Sequence, residues 1–300
     1  MVDRSGLQPG DRLRVITPSG ALRDLERFEQ GLEIWRSRGY DLELTAGYDQ
    51  QWGYLGGTDQ ARRDQFAEAL NDPDCRGIIC SRGGFGATRL LESWQWERLK
   101  PDCTSKFLIG FSDITALLWG SLGKTAGVHG PVLTTLGEEP DWSIKRLFDW
   151  LEGRPIEPLQ GTGWGNGTVR GQLLPGNLTV ATCLLGTAYQ PSLSGAILAF
   201  EDVNEEPYRI DRMLTQWRMT GALQQVAGIA LGRFSQWEKN INPHSFKLEE
   251  VLRDRLGDLG IPIVSDLPFG HDGANGILPV GIIAELDGER GILNCLSEYF

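Results

Sequence analysis

Four times in its first half, this chain follows a short apolar run with apolar residues at helical spacing. Arg12 to Thr17 precede a helix face of Leu22, Leu25, Phe28, Leu32 and Trp35, closed by Gly39. Tyr40 to Leu44 precede a helix capped by Thr58 that runs to about Asn71, before Asp72-Pro73. Ile78 to Cys80 lead through Arg82-Gly83-Gly84-Phe85-Gly86 into Leu90, Leu91 and Trp94, and Phe107 to Ile109 lead through Gly110 into Ile114, Leu117, Leu118 and Leu122. Strand alternating with helix at this rhythm makes an α/β fold, a parallel sheet with helices on its faces. Ligands of such sheets bind beyond the carboxyl ends of the strands, where both the Gly83–Gly86 loop and Ser112 fall.

The texture changes over 153–171, a Gly- and Pro-rich stretch without helical period that reads as a linker. Beyond it Gly176 to Leu185 reads as a helix, Ala196 to Phe200 as a strand ending in Glu201-Asp202, and Tyr208 to Met219 as an amphipathic helix. Strands are expected at 226–231, 261–264, 281–286 and 292–296. The expected organisation is a parallel-sheet domain over 1–152 and a smaller C-terminal α+β domain over 172–300.

At 300 residues the chain can bury two cores, and 40% apolar with 23% charged residues is ordinary for a globular protein. A net charge of −11 argues against nucleic acid and anionic membrane surfaces as partners. No apolar run approaches the ~18 residues of a membrane span, and the first residues do not resemble a signal peptide. The five cysteines (Cys75, Cys80, Cys103, Cys183, Cys295) are odd in number and form no C-x-x-C pair. A reduced, cytoplasmic setting fits them, with Cys80 and Cys183 as small core residues.

Ser112 sits at a strand-to-helix turn, where a serine is an ordinary N-cap. The same place gives a nucleophilic hydroxyl unpaired backbone N–H groups for a developing oxyanion. The glycines at 83–86 suit a tight turn or a close approach of backbone to substrate; Arg89 stands where a dinucleotide fingerprint needs its third glycine. Of three histidines, His244 lies in a polar loop, His129 follows a strand, and His271 sits in Pro268-Phe269-Gly270-His271. Glu201 directly follows a buried strand, which holds a carboxylate rigidly. Ser112, Glu201 and His271 thus fall in the order Ser, acid, His. The G-x-S-x-G elbow is absent, because Ile114 replaces its second glycine; triads nonetheless recur on unrelated folds.

Together these segments resemble the L,D-carboxypeptidases of the serine-peptidase class, which include the muramoyl-tetrapeptide carboxypeptidases and the microcin-self-immunity peptidases, and they lie nearer the former. The resemblance rests on Ile78 through Gly86, Gly110-Phe111-Ser112-Asp113-Ile114-Thr115, His129-Gly130-Pro131, Pro175-Gly176-Asn177-Leu178-Thr179, Phe200-Glu201-Asp202 through Pro207 to Leu214, and Pro268 to His271. It implies a Rossmann-like N-terminal domain, with Ser112 as nucleophile, Glu201 as orienting acid and His271 as base. The backbone N–H groups of Asp113 and Gly84 would form the oxyanion hole. The implied substrate is a cytoplasmic murein tetrapeptide, cut in peptidoglycan recycling to release D-alanine. An acyl-nucleotide conjugate, with an aromatic shelf near Trp164, is the alternative, and a non-catalytic peptide- or nucleotide-binding module a second. No metal or cofactor is implied, and a homodimer is expected. Arg82, Arg233 and Glu205 are the candidates for gripping substrate. Ser81 and Phe85 depart from the family's frequent Ala and Tyr.

Overall fold

Two sheets divide the chain between them in the computed structural model, which describes residues 6–92, 94–96, 99, 106–237 and 244–296. One compact unit comprises Met1–Ile156 with Ile277–Val280, and the other Glu157–Gly276 with Gly281–Phe300.

In the first unit β1 (Arg12–Ile16), α1 (Leu25–Ser37), β2 (Asp41–Leu44), α2 (Asp59–Asn71), β3 (Cys75–Cys80), α3 (Ala87–Leu91), β4 (Phe107–Gly110), α4 (Thr115–Gly120) and β5 (Ala126–His129) alternate as the sequence predicts. The strands run parallel in the order β5-β4-β3-β1-β2. Ile78, Ile79, Leu108 and Ile109 are fully buried, as strands covered on both faces require. Asp24 caps α1 by accepting from the Arg27 N–H at 3.1 Å, and Thr58 caps α2 from the Ala61 N–H at 3.2 Å. After β5 come α5 (Leu133–Leu136) and α6 (Asp141–Leu151). α1 lies so close to α5 that a Cβ at Gly31 would stand 2.2 Å from the Leu133 carbonyl oxygen.

The second unit holds β6 (Leu159–Gln160), β7 (Thr162–Gly163), β8 (Thr168–Asn177), α7 (Leu178–Leu184), β9 (Ile197–Val203), α8 (Pro207–Met219), β10 (Gly228–Ser235), α9 (Leu248–Leu256) and β11 (Ile263–Ser265). β12 (Leu278–Pro279) crosses back to pair antiparallel with β5 in the first unit's sheet. β13 (Ile283–Asp287) and β14 (Ile292–Cys295) complete the second unit in the order β6-β14-β13-β8-β9-β10-β11-β7. Its two end strands are joined by Gly161 alone, so the sheet curls until its edges meet. β8 to β11 are mutually parallel, and the remaining pairings are antiparallel. The architecture is thus a mostly parallel α/β unit followed by a mixed α+β unit.

Several expectations need correction. The 153–171 stretch is no bare linker: it supplies β6, β7 and the start of β8, and the units part at Ile156, with 277–280 returned to the first. Three of its glycines answer to crowding. A Cβ at Gly161 would stand 2.2 Å from the Ser265 carbonyl oxygen, one at Gly163 2.1 Å from that of Gly288, and one at Gly171 2.2 Å from that of Gly195. The helix expected from Gly176 begins at Leu178, because Gly176 and Asn177 still pair with Phe200 and Glu201. Cys183 is exposed on α7, whereas Cys75, Cys80 and Cys295 are buried; Cys103 lies outside the described residues. Among the described residues, no helix is long and apolar enough to cross a membrane.

Candidate active site

Ser112 opens a 3-10 turn, Ser112–Ile114, between β4 and α4, and its φ is 62°. A serine in the left-handed region is strained by roughly 1–3 kcal/mol, a cost that persists only where the surroundings fix the conformation. The abrupt passage from Gly110 to Asp113 demands such a conformation. Gly110 is needed beneath it, since a Cβ there would meet Ile114 Cγ2 at 2.9 Å. Against Ser112 lies the glycine loop. A Cβ at Gly83 would stand 3.0 Å from Ser112 Cβ and 3.1 Å from Oγ, so Gly83 is the loop residue in direct apposition. Gly84 (φ 122°) has its own Cβ direction toward Gly20 Cα, at 3.3 Å.

Asp113 turns its carboxylate inward. Oδ2 accepts from Ser19 Oγ at 2.6 Å and from the Ala87 N–H at 2.8 Å. Burial pushes this carboxyl above its ordinary range, opposed by those two hydrogen bonds. Only the backbone of Asp113 is left to face a ligand.

In the second unit β9 carries Glu201, which is wholly buried. Its Oε2 lies 2.5 Å from His271 Nδ1, and its Oε1 accepts from Asn177 Nδ2 at 3.3 Å. Asn177 also caps α7, accepting from the Val180 N–H at 3.1 Å, and donates to Asp202 Oδ1 at 3.2 Å. Asp202 is held by the Thr179 N–H at 2.8 Å and the Thr179 hydroxyl at 2.9 Å. Burial first, then the neighbouring Glu201, pushes the Asp202 carboxyl up to about 6. For His271, burial favours the neutral ring, but the charge and hydrogen bond of Glu201 outweigh it and raise its pKa above the ordinary value. The His271 loop is anchored by buried Phe269, whose carbonyl accepts from the Arg233 N–H at 2.8 Å. At Gly270 (φ 135°) a Cβ would press on Arg233 Cβ and its carbonyl oxygen, each at 3.1 Å.

The structure thus joins Glu201 to His271 and sets Ser112 beside Gly83. His129 is fully buried with its ring edge-on to Phe111 at 5.9 Å, and His244 is exposed. The three candidate grips have these partners: Arg82 the Ala21 carbonyl at 2.8 Å, Arg233 the Asp272 carbonyl next to His271, and Glu205 the Arg209 guanidinium at 3.5 Å. Trp164 donates to Ser265 Oγ at 3.0 Å with Arg253 over its ring at 4.5 Å, on the wall of a cavity of about 610 Å³ in the second unit. Among the described residues no cluster of His, Cys, Asp or Glu is arranged to hold a metal ion. Sequence reasoning missed Asn177 as the amide that bridges both acids, although its place before a helix start, two residues ahead of Thr179, was a legible cap signal.

The LD-carboxypeptidase N-terminal domain matches residues 13–130 and the C-terminal domain of the same family matches 170–286. The chain is 57% identical to a putative carboxypeptidase of Synechocystis sp., over 97% of this chain and 96% of that one. It is 34% identical to the murein tetrapeptide carboxypeptidase of Pseudomonas aeruginosa, over 94% and 95% of the two chains. Its fold is similar to that of the microcin immunity protein MccF solved with glutamyl sulfamoyl guanosine, with a TM-score of 0.83 at 22% identity over 99% and 98% of the chains. A two-domain hydrolase is what this fold and these matches define. The chain belongs to the LD-carboxypeptidase family and is a serine-type peptidase.

Proposed function

We propose that Ser112 is the nucleophile, His271 its base and Glu201 the acid that orients the imidazole. The observation that carries this reading is the 2.5 Å contact between His271 Nδ1 and buried Glu201, together with the strained φ of Ser112. With Nδ1 committed to the carboxylate, Nε2 is the nitrogen left to take the serine proton. Ser112 Oγ then bonds to the scissile carbonyl carbon while the carbonyl oxygen takes up negative charge. The Asp113 N–H and the backbone of the glycine loop, with Gly84 as its assigned donor, receive that charge. The imidazolium returns its proton to the leaving amine as the C–N bond breaks, and water releases the acyl group by the same steps in reverse roles.

The substrate in this reading is a small peptide or an acyl-nucleotide conjugate. Identity with the Pseudomonas enzyme supports a murein tetrapeptide cut before its terminal D-alanine, a recycling reaction of the cytoplasm. The likeness to MccF, solved with glutamyl sulfamoyl guanosine, weighs toward the conjugate. Incubation with defined murein tetrapeptides and, separately, with aminoacyl sulfamoyl nucleosides, followed by mass spectrometry, tests both. Release of D-alanine selects the first; turnover of the nucleoside alone selects the second. Turnover of neither would leave a binding module.

A further inference from the structure

A glycine loop cannot fix its own shape, because each glycine is free to take either sign of φ. Gly84 and Gly86 both use that freedom, at φ 122° and 113°. The segment is nevertheless tied along its length. The Gly83 carbonyl accepts from the Gly20 N–H at 3.2 Å. The Gly86 carbonyl accepts from Arg62 Nη1 at 2.8 Å, and the same nitrogen donates to the Pro18 carbonyl at 2.6 Å. Arg62 is fully buried, and its charge is answered by Asp59, whose Oδ1 takes Nη2 at 2.6 Å. Asp59 in turn holds Arg89 of α3 through Nε at 2.9 Å and Nη2 at 2.6 Å. One residue beyond Gly86, the Ala87 N–H reaches Asp113 Oδ2. Asp113 is covalently next to Ser112, so one carboxylate ties the serine turn to the residue that follows the loop.

We infer that Asp113, through its side chain, and Arg62 are positioning residues that hold the Gly83–Gly86 backbone against Ser112 in the geometry an oxyanion requires. This inference rests on Ser112 being the nucleophile. Neither group touches the reacting carbonyl. Asp113 is 4% exposed and Arg62 0%, so both act through the loop. The arrangement also explains a charged pair in an expensive place. Burying a guanidinium is costly without partners, and here Nη1 and Nη2 are spent on two carbonyls and one carboxylate, while Nε is buried without a partner among the described residues.

The test uses a peptide substrate and its thioamide analogue, in which sulfur replaces the scissile carbonyl oxygen. Donors placed for an oxyanion favour oxygen over sulfur, and a loosened loop loses that preference. Asp113→Asn and Arg62→Lys should lower kcat about 10- to 100-fold with KM nearly unchanged. Both should reduce the oxygen-to-sulfur rate ratio, which a change in overall folding would not move. Ser19→Ala, which removes a single bond to Asp113, should lie between wild type and Asp113→Asn, and it keeps the test open if either buried variant fails to fold. Labelling of Ser112 by a fluorophosphonate separates the two levels of argument. Failure of the wild type to label would overturn the nucleophile. A labelled wild type whose folded variants keep its kcat and its oxygen-to-sulfur ratio would overturn the clamp alone.

Discussion

The region around Ser112 and the region around His271 solve the same problem with different materials. Around Ser112 the geometry is written into the main chain: a serine at positive φ, glycines where a Cβ would collide, and a loop held by its carbonyls and N–H groups. Around His271 it is written into side chains: Glu201, Asn177, Asp202 and Thr179 form a buried relay in which each oxygen has a donor. A main-chain device of this kind is intolerant of size at its glycines, and it depends on the Arg62 and Asp113 side chains that tie it. A side-chain relay tolerates neither loss of charge nor loss of a donor, because an orphaned buried polar atom costs about 1–3 kcal/mol.

The sharpest break comes from Ser112→Ala, which should cut kcat on the order of 10⁶-fold while leaving thermal unfolding nearly unchanged. Near-normal turnover of that variant would dissolve the comparison, since the main-chain device would have nothing to serve. Glu201→Gln should cost on the order of 10⁴-fold, mainly in kcat, by misassigning the imidazole tautomer. Its pH profile adds a second reading. With His271 as the proposed base, kcat/KM should rise with pH through a midpoint above the ordinary 6.5, and the amide should move that midpoint down. A midpoint indifferent to Glu201 would separate the two residues.

Gly83→Ala sharpens the main-chain side. Its methyl group would stand 3.1 Å from Ser112 Oγ, so kcat should fall roughly 10²-fold with little change in stability. Unaltered kinetics in this variant would mean that the loop is not where the oxyanion forms. Asp202→Asn probes the relay through stability. A carboxyl raised to about 6 favours folding while protonated, and that contribution is lost as pH rises through this value. Thermal unfolding followed from the ordinary carboxylate range to neutral pH should therefore show a shallower decline in the variant. An equal slope would remove Asp202 from the account. Asp24→Ala, at the cap of α1, should cost about 1 kcal/mol and leave kinetics alone; a change in kcat there would show that generic destabilisation mimics the larger effects.

How much of this was legible depends on the range of the contacts involved. The alternation of β1 through β5 with helices was readable because periodicity is local, and Ser112 stood out because strand, glycine, serine and helix follow within a few residues. The order of Ser112, Glu201 and His271 was readable as well, but the hydrogen bond between the last two spans 70 positions. Gly161 and Gly163 misled for a physical reason: the same residue serves a flexible turn and a crowded strand, and only the opposing backbone tells them apart. Arg62 carried no signal at all. Its sequence neighbours look like an exposed helix face, while the carbonyls that bury it lie at Pro18 and Gly86. The return of 277–280 was equally silent, because a two-residue strand is too short to show alternation.

That return has a consequence for how the chain comes to be made. A ribosome delivers β5 long before it delivers β12, so the row of amide and carbonyl groups along His129 and Val128 waits for Leu278 and Pro279. Through most of synthesis the first unit therefore carries an open strand edge, the feature that invites pairing with the wrong chain. The antiparallel partner ends in a proline, which has no N–H to donate, and the Val280 N–H carries the pairing on to the Gly127 carbonyl at 2.8 Å. The last stretch of the polypeptide thus works as a late cover for the first, and a nascent chain stalled before Leu278 is the species in which self-association would be expected to begin.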